Sequence, residues 1–297
     1  HTRSFHVTGV QTCALPILDD TELGRLVDGF SSITLGSTTG TGAIAVAYTT
    51  PYTFTDPLTI RSNTSGGGAI SATSALNTGT NSLTITSGGA VSVAAITSGT
   101  LAITGTGITL NGDVTTSGTQ TYTGAVTLGA DVTLASTGNA STGNTVSFSS
   151  TINGAKAFTV NAGVGAITFN STIGATTNLT SLSLTTTHAT GITLSGNITT
   201  TGSQTYNGAT TLAATPITLT TTNSDVSFGG TLNGNAASRA LTIAAGTGNV
   251  TFTGAVGGGT ALGAVAITAA TTTNSSTWVG SSTLGITDRK STRLNSS

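Results

Sequence analysis

Along most of this 297-residue chain, apolar and small polar positions alternate in triplets: ITL at Ile108, VTL at Val126 and Val132, VSF at Val146, FTV at Phe158, ITF at Ile167 and LSL at Leu182. In an extended strand successive side chains face opposite sides. Each triplet therefore sends two apolar side chains inward and one Thr or Ser outward, and predicts a very short strand. Glycine-rich stretches separate the triplets, and 41 glycines are enough to supply corners at positive φ. Strands this short bury no core alone. Stacked in coils of roughly 20 residues they do, as in a β-solenoid.

A longer period lies above the triplets. ITLNGDVTTSGTQTYTGAVTL, from Ile108, returns 84 positions on as ITLSGNITTTGSQTYNGATTL, from Ile192. VSFSSTING from Val146 returns as VSFGGTLNG from Val226, and FTVNAGVGAITF from Phe158 as LTIAAGTGNVTF from Leu241. A more diverged copy precedes them, with LTITSGGAVSV from Leu83 in the place of FTVNAGVGAITF. Residues 33–287 thus divide into about three tandem units, 33–107, 108–191 and 192–274, with part of another after them. The expected fold is all-β, a right-handed parallel β-helix. Four coils to the unit would give roughly thirteen coils and, at about 4.8 Å each, a rod on the order of 60 Å long. A β-sandwich would use longer strands and aromatic core anchors; triplets with only 4% aromatic residues favour the solenoid.

The segment LDDTELGRLVDGF breaks the alternation. Leu23, Leu26, Val27 and Phe30 fall at i, i+3, i+4 and i+7, with Asp19 as N-cap, Glu22 three residues later and Gly29 at the stop. This spacing predicts a short amphipathic helix within a lead-in of residues 18–32.

The two ends depart in another way. Residues 1–17 hold the chain's one cysteine, Cys13, and two of its three histidines, His1 and His6, which would suit zinc or thiol chemistry. Yet Thr8 to Ile17 can be written ACT GGA GTT CAG ACG TGT GCT CTT CCG ATC, and the reverse complement of that string translates codon for codon as Asp288 to Ser297. The two ends are one oligonucleotide read on opposite strands, and it resembles a common short-read sequencing adapter. Residues 1–17 and 288–297 are accordingly expected to be translated adapter and no part of the native fold. The native part is expected to be a fragment open at both ends, which agrees with the lack of any methionine.

Trimming sharpens the charge pattern. Residues 18–287 keep as bases only Arg25, Arg61, Lys156 and Arg239, and half of their acids cluster between Asp19 and Asp28. With no basic stripe to neutralise phosphates, nucleic acid is not an expected partner. No apolar run approaches the ~18 residues of a membrane-spanning helix. Abundant Thr, Val and Ile argue for strands rather than disorder.

TELGRLVDGFSSITLGSTTGTGAI, followed by units containing GTQTYTGAVTL and GSQTYNGATTL, resembles the repetitive passenger region of filamentous-haemagglutinin-like bacterial surface proteins. The resemblance covers nearly all of residues 18–287. It implies a long secreted parallel β-helix on the outer surface of a Gram-negative cell, a structural stalk or adhesive rod that meets host or neighbouring-cell surface molecules or polysaccharide. The family's N-terminal secretion domain is not among these residues.

Little here suggests chemistry. A carbohydrate-active β-helix enzyme would need convergent acids, and the candidates are Asp56, Asp113, Asp131 and Asp225. Asp113 becomes Asn197 in the next unit and Asp225 answers to Thr145, so the repeat does not maintain them. His188 in TTTHATG has no second ligand nearby, and no calcium-binding repeat is present. Tyr122 and Tyr206 hold equivalent positions and predict a stacked aromatic ladder, while Trp278 predicts core packing or edge cover. No catalytic, metal or cofactor residues, and no cofactor, are assigned. One different function fits the outward threonines: binding to ice, against which stands the variable coil length.

Overall fold

The computed structural model describes residues 4–7, 17–18, 20–23, 26, 28–137, 144–279 and 283–288. They build an all-β solenoid of about 11 turns whose paired strands run parallel. Each turn crosses three faces. On the first, Ser32–Gly36, Leu58–Arg61, Leu83–Thr86 and the starts of Leu101–Leu110 and Gln120–Leu128 lie side by side. Val146–Phe148, Ile167–Phe169, Ile192–Leu194, Thr210–Leu212 and Leu232–Gly234 continue the row. Single bridges extend it to Val256 and Trp278.

The second face joins Ile44–Val46, Ile70–Ala72 and Val91–Val93 to the ends of the two long strands and then to Ile152–Asn153. It passes through Ile173 and Ile198–Thr199 to Ile217–Thr220, Arg239–Ala244, Leu262–Ala269 and Leu284–Asp288. The third runs from Leu76–Asn77 through Ile96–Ser98, Val114–Thr116, Val132–Ser136 and Ala157–Asn161 to Ser181–Thr185. Gln204–Asn207, Val226–Phe228, Asn249–Phe252 and Thr271–Asn274 complete it.

The triplets do what their alternation requires. In Val146–Phe148, Ile167–Phe169 and Ile192–Leu194 the outer two residues are buried and the middle one is not. Inward Val, Ile, Leu and Phe side chains form one core along the rod. Corners differ in length. Leu83 to Leu101 is a turn of 18 residues and Gln120 to Val146 one of 26, so coils are on average longer than the expected 20 and fewer than thirteen. At about 4.8 Å per turn, 11 turns span roughly 50 Å. The long strand Leu101–Leu110 crosses a corner without ending, with a register shift between Thr104 and Gly107. Its neighbour must then approach closely: a Cβ on Gly124, at φ +136°, would lie 2.1 Å from the Gly105 carbonyl oxygen. Only glycine fits there.

The lead-in differs from the amphipathic helix expected over it. Helix is confined to Asp20–Leu23, and Leu26, Gly29 and Phe30 are not helical. Asp19 and Val27 lie outside the described residues. So short a helix gains little from its own hydrogen bonds and is held by docking. Leu23 is buried, Leu26 and Phe30 pack against the core, and the Asp20 carboxylate accepts hydrogen bonds from the backbone of Thr49 and Thr50 and from the Thr49 hydroxyl. These bonds, the Thr49 hydroxyl's first, hold its carboxyl below the usual carboxylate range.

Of the two ends assigned to adapter, His1, Cys13, Arg289, Lys290 and Arg293 lie outside the described residues. Ser4–Val7 pairs with Ser32–Gly36 along the first face, and Ile17–Leu18 pairs with Ile44–Val46 on the second.

Candidate functional site

Three of the four candidate acids bond to the backbone of the next turn. Asp113 Oδ1 accepts the backbone N–H of Thr133 at 2.8 Å, Asp131 Oδ1 that of Ala157 at 2.9 Å, and Asp225 Oδ1 that of Asn249 at 2.7 Å. Each thus ties a corner to the next turn. The repeat shows why carboxylates are dispensable: Asn197 Oδ1 accepts from Thr218 N–H at 2.8 Å in the place of Asp113, and Thr215 Oγ1 from Ala240 N–H at 2.9 Å in the place of Asp131. Any short side-chain oxygen serves. Asp56 is buried, and its Oδ2 has no hydrogen-bond partner among the described residues. Among the described residues no three His, Cys, Asp or Glu side chains gather to hold a metal ion.

His188 sits in a corner. Its ring Nδ1 accepts the Thr190 backbone N–H at 3.0 Å and its backbone N–H donates to Thr186 Oγ1 at 2.9 Å, so side chain and backbone together brace the loop. Trp278 is partly buried and meets Phe252 edge-on at 5.5 Å, which is core packing. Tyr122 and Tyr206 each head an aromatic stack. Tyr122, Phe148 and Phe169 follow one another at 4.7 and 5.2 Å, and Tyr206, Phe228 and Phe252 at 4.8 and 5.3 Å. Both tyrosines are fully buried, and burial pushes both phenols far above their ordinary pKa.

The sequence reading did not anticipate their polar partners. Tyr122 donates to Gln120 Oε1 at 3.0 Å, and Gln120 Nε2 donates to Thr116 Oγ1 at 3.1 Å and to the Ala135 carbonyl at 2.9 Å. Tyr206 donates to Gln204 Oε1 at 2.8 Å, while Gln204 Nε2 reaches Thr200 Oγ1 at 3.2 Å and the Thr220 carbonyl at 2.9 Å. The signal was the shared TTxGxQTY of both copies, whose second Thr (Thr116, Thr200), Gln and Tyr face inward.

Two surfaces remain. Along the first face the outward positions Thr59, Thr84, Ala102, Thr121, Ser147, Thr168, Thr193 and Thr211 align rung on rung, with Thr34 buried at the start of the row. They form a hydroxyl and methyl ladder without a charge. Near the lead-in, a groove of about 400 Å³ lies between Tyr48, Pro51 and Tyr52 on one side and Thr73, Leu76 and Asn77 on the other. The cluster YTTPY marks it in sequence. Its phenols are already engaged, Tyr48 with the Ala75 carbonyl and Tyr52 with the Leu26 carbonyl at 3.3 Å. Burial raises the pKa of both, with the Asp56 charge adding to the effect at Tyr52.

Searches against family models, curated protein sequences and solved structures each returned no match for this chain.

Proposed function

We propose that this chain is a length of structural, adhesive rod from a large secreted bacterial surface protein, without a catalytic role or cofactor. The observation that carries the reading is the continuity of the first face. From Ser32 to Gly234 every rung pairs in parallel with the next, and inward side chains keep the core filled throughout. Ladders of backbone hydrogen bonds resist bending, and stacked coils resist pulling along the axis. Outward hydroxyls offer many weak contacts to surface molecules or polysaccharide. Beads coated with the chain should adhere to cell surfaces or immobilised polysaccharide more strongly than bare beads. Release of soluble sugars from that polysaccharide by the purified chain, or adhesion no stronger than that of bare beads, would overturn the reading.

A second reading, ice binding, is favoured by the Thr/Ser ladder of the first face. Thr is stiff at χ1, and parallel rungs repeat at about 4.8 Å, so the hydroxyls form a fixed array. Thermal hysteresis that disappears when Thr168, Thr193 and Thr211 become Lys would favour this function over adhesion.

A further inference from the structure

Equivalent residues of the 84-residue repeat do not lie on equivalent faces. Ile108 pairs with Val91 and Val126 on the second face, whereas its counterpart Ile192 pairs with Ile167 and Thr210 on the first. Val114 lies on the third face and Ile198 on the second. Gln120 and Tyr122 lie on the first and Gln204 and Tyr206 on the third. Later parts of the unit agree: Val146 is on the first face and Val226 on the third, Phe158 on the third and Leu241 on the second. The diverged earlier copy is displaced in the same sense, with Leu83 on the first face where Phe158 is on the third. One unit therefore covers three turns and two further faces, not four whole turns, and each copy begins one face away from the last.

The displaced copies nevertheless keep their internal structure. Both carry the Gln–Tyr hydrogen bond, the Tyr–Phe–Phe stack and the corner oxygen that caps the next turn. This is possible because the three faces are alike where it matters: each is a parallel ladder with apolar residues inward. A copy needs beneath it only a rung of the right inward side chains, whichever face that is.

We propose that the repeat is a screw element: gaining or losing one copy leaves the coils intact and turns everything beyond it by one face, a third of a turn. Copy number then sets the direction in which the distal rod presents its outward residues. Recombination between copies re-aims the distal rod without altering any residue of that distal part. The inference rests on strand pairing alone and stands or falls apart from the adhesive reading.

Deleting residues 108–191, so that Gly107 joins Ile192, tests it. Thr193 then takes the place of Thr109 beside Ser92, on the second face. Neighbouring rungs of a parallel ladder lie within disulfide range. In a Cys13→Ser background, the deleted chain carrying Ser92→Cys and Thr193→Cys should crosslink under mild oxidation, while the undeleted chain with the same pair should not. In the undeleted chain Thr168→Cys crosslinks with Thr193→Cys instead. If Thr193 did not take the place of Thr109 on the second face, it would not lie beside Ser92. Absence of the Ser92→Cys to Thr193→Cys crosslink in the deleted chain would overturn the proposal, as would failure of that chain to give a β-sheet circular dichroism spectrum and a cooperative melt.

Discussion

The ring of Tyr122 lies 4.7 Å from that of Phe148 and within 6° of parallel, and its hydroxyl is bound to Gln120 two residues earlier on the same strand. An inward Gln and an inward Tyr on one rung would each be costly in an apolar core if left unpaired. Together they satisfy one another, and Gln120 finds Thr116 and the Ala135 carbonyl for its amide. The stack supplies dispersion and the pair fixes the register.

Tyr122→Phe keeps the stack but leaves Gln120 Oε1 without its donor. It should destabilise by about 1–3 kcal/mol, the usual cost of a buried unsatisfied polar group. Tyr122→Ala, which also empties the ring's volume, should cost about 3–5 kcal/mol. Tyr206 should behave alike. Denaturant midpoints measure both, and a Tyr122→Phe variant as stable as the parent would contradict the assigned hydrogen bond.

The same burial predicts a weakness in alkali. Both phenols are raised from the ordinary value of 10.0 and stay protonated in the folded chain, while the unfolded chain ionises. Above that pH the unfolded state holds fewer protons than the folded one, so stability falls as pH rises. The contribution is complete below pH ~10 and is lost at up to about 1.4 kcal/mol per pH unit for each tyrosine. Urea midpoints between pH 9 and 11.5 should show the decline, and Tyr122→Phe with Tyr206→Phe should flatten it.

At the corners an oxygen matters and a charge does not. Asp113→Asn should change stability by no more than ~0.5 kcal/mol, because Asn197 already makes the equivalent bond. Asp113→Ala should cost about 0.5–1.5 kcal/mol by freeing the Thr133 amide. Equal effects of Asn and Ala on the melting temperature would refute this account of the Asp/Asn exchange.

Gly107 and Gly191 are counterparts in the repeat but stand in different surroundings. A Cβ on Gly191, at φ +66°, would lie 1.8 Å from the Ala209 carbonyl oxygen; on Gly107 it would meet nothing within 4 Å. Gly191→Ala should therefore cost at least ~1–2 kcal/mol from the left-handed backbone alone, and more from the clash. Gly107→Ala should be close to neutral. Thermal melts of the two variants make the comparison directly.

The fold was legible because the triplets are short and regular. The inward positions read from ITL, VSF and ITF are the buried ones, and the inward tyrosines do stack. The inward Gln120 was not legible as a core residue, since composition treats Gln as a surface side chain. The helix over the lead-in was overread: its 3.6-residue spacing is real, but Leu23, Leu26 and Phe30 bury themselves by draping over the first coils. Nor did YTTPY stand out as a groove, because its other wall comes from the next turn.

By itself, then, the sequence determined which side chains point inward, since strand alternation has a period of two whatever a strand pairs with. Only the tertiary structure decided which strand lies beneath which. Pairing depends on summed corner lengths, and four turns from Ile108, through Val126, Ile152 and Ile173, end at Ile198 and not at Ile192, where the unit recurs. That mismatch moves Tyr206 to a different face from Tyr122 while leaving each its Gln partner and its Phe stack.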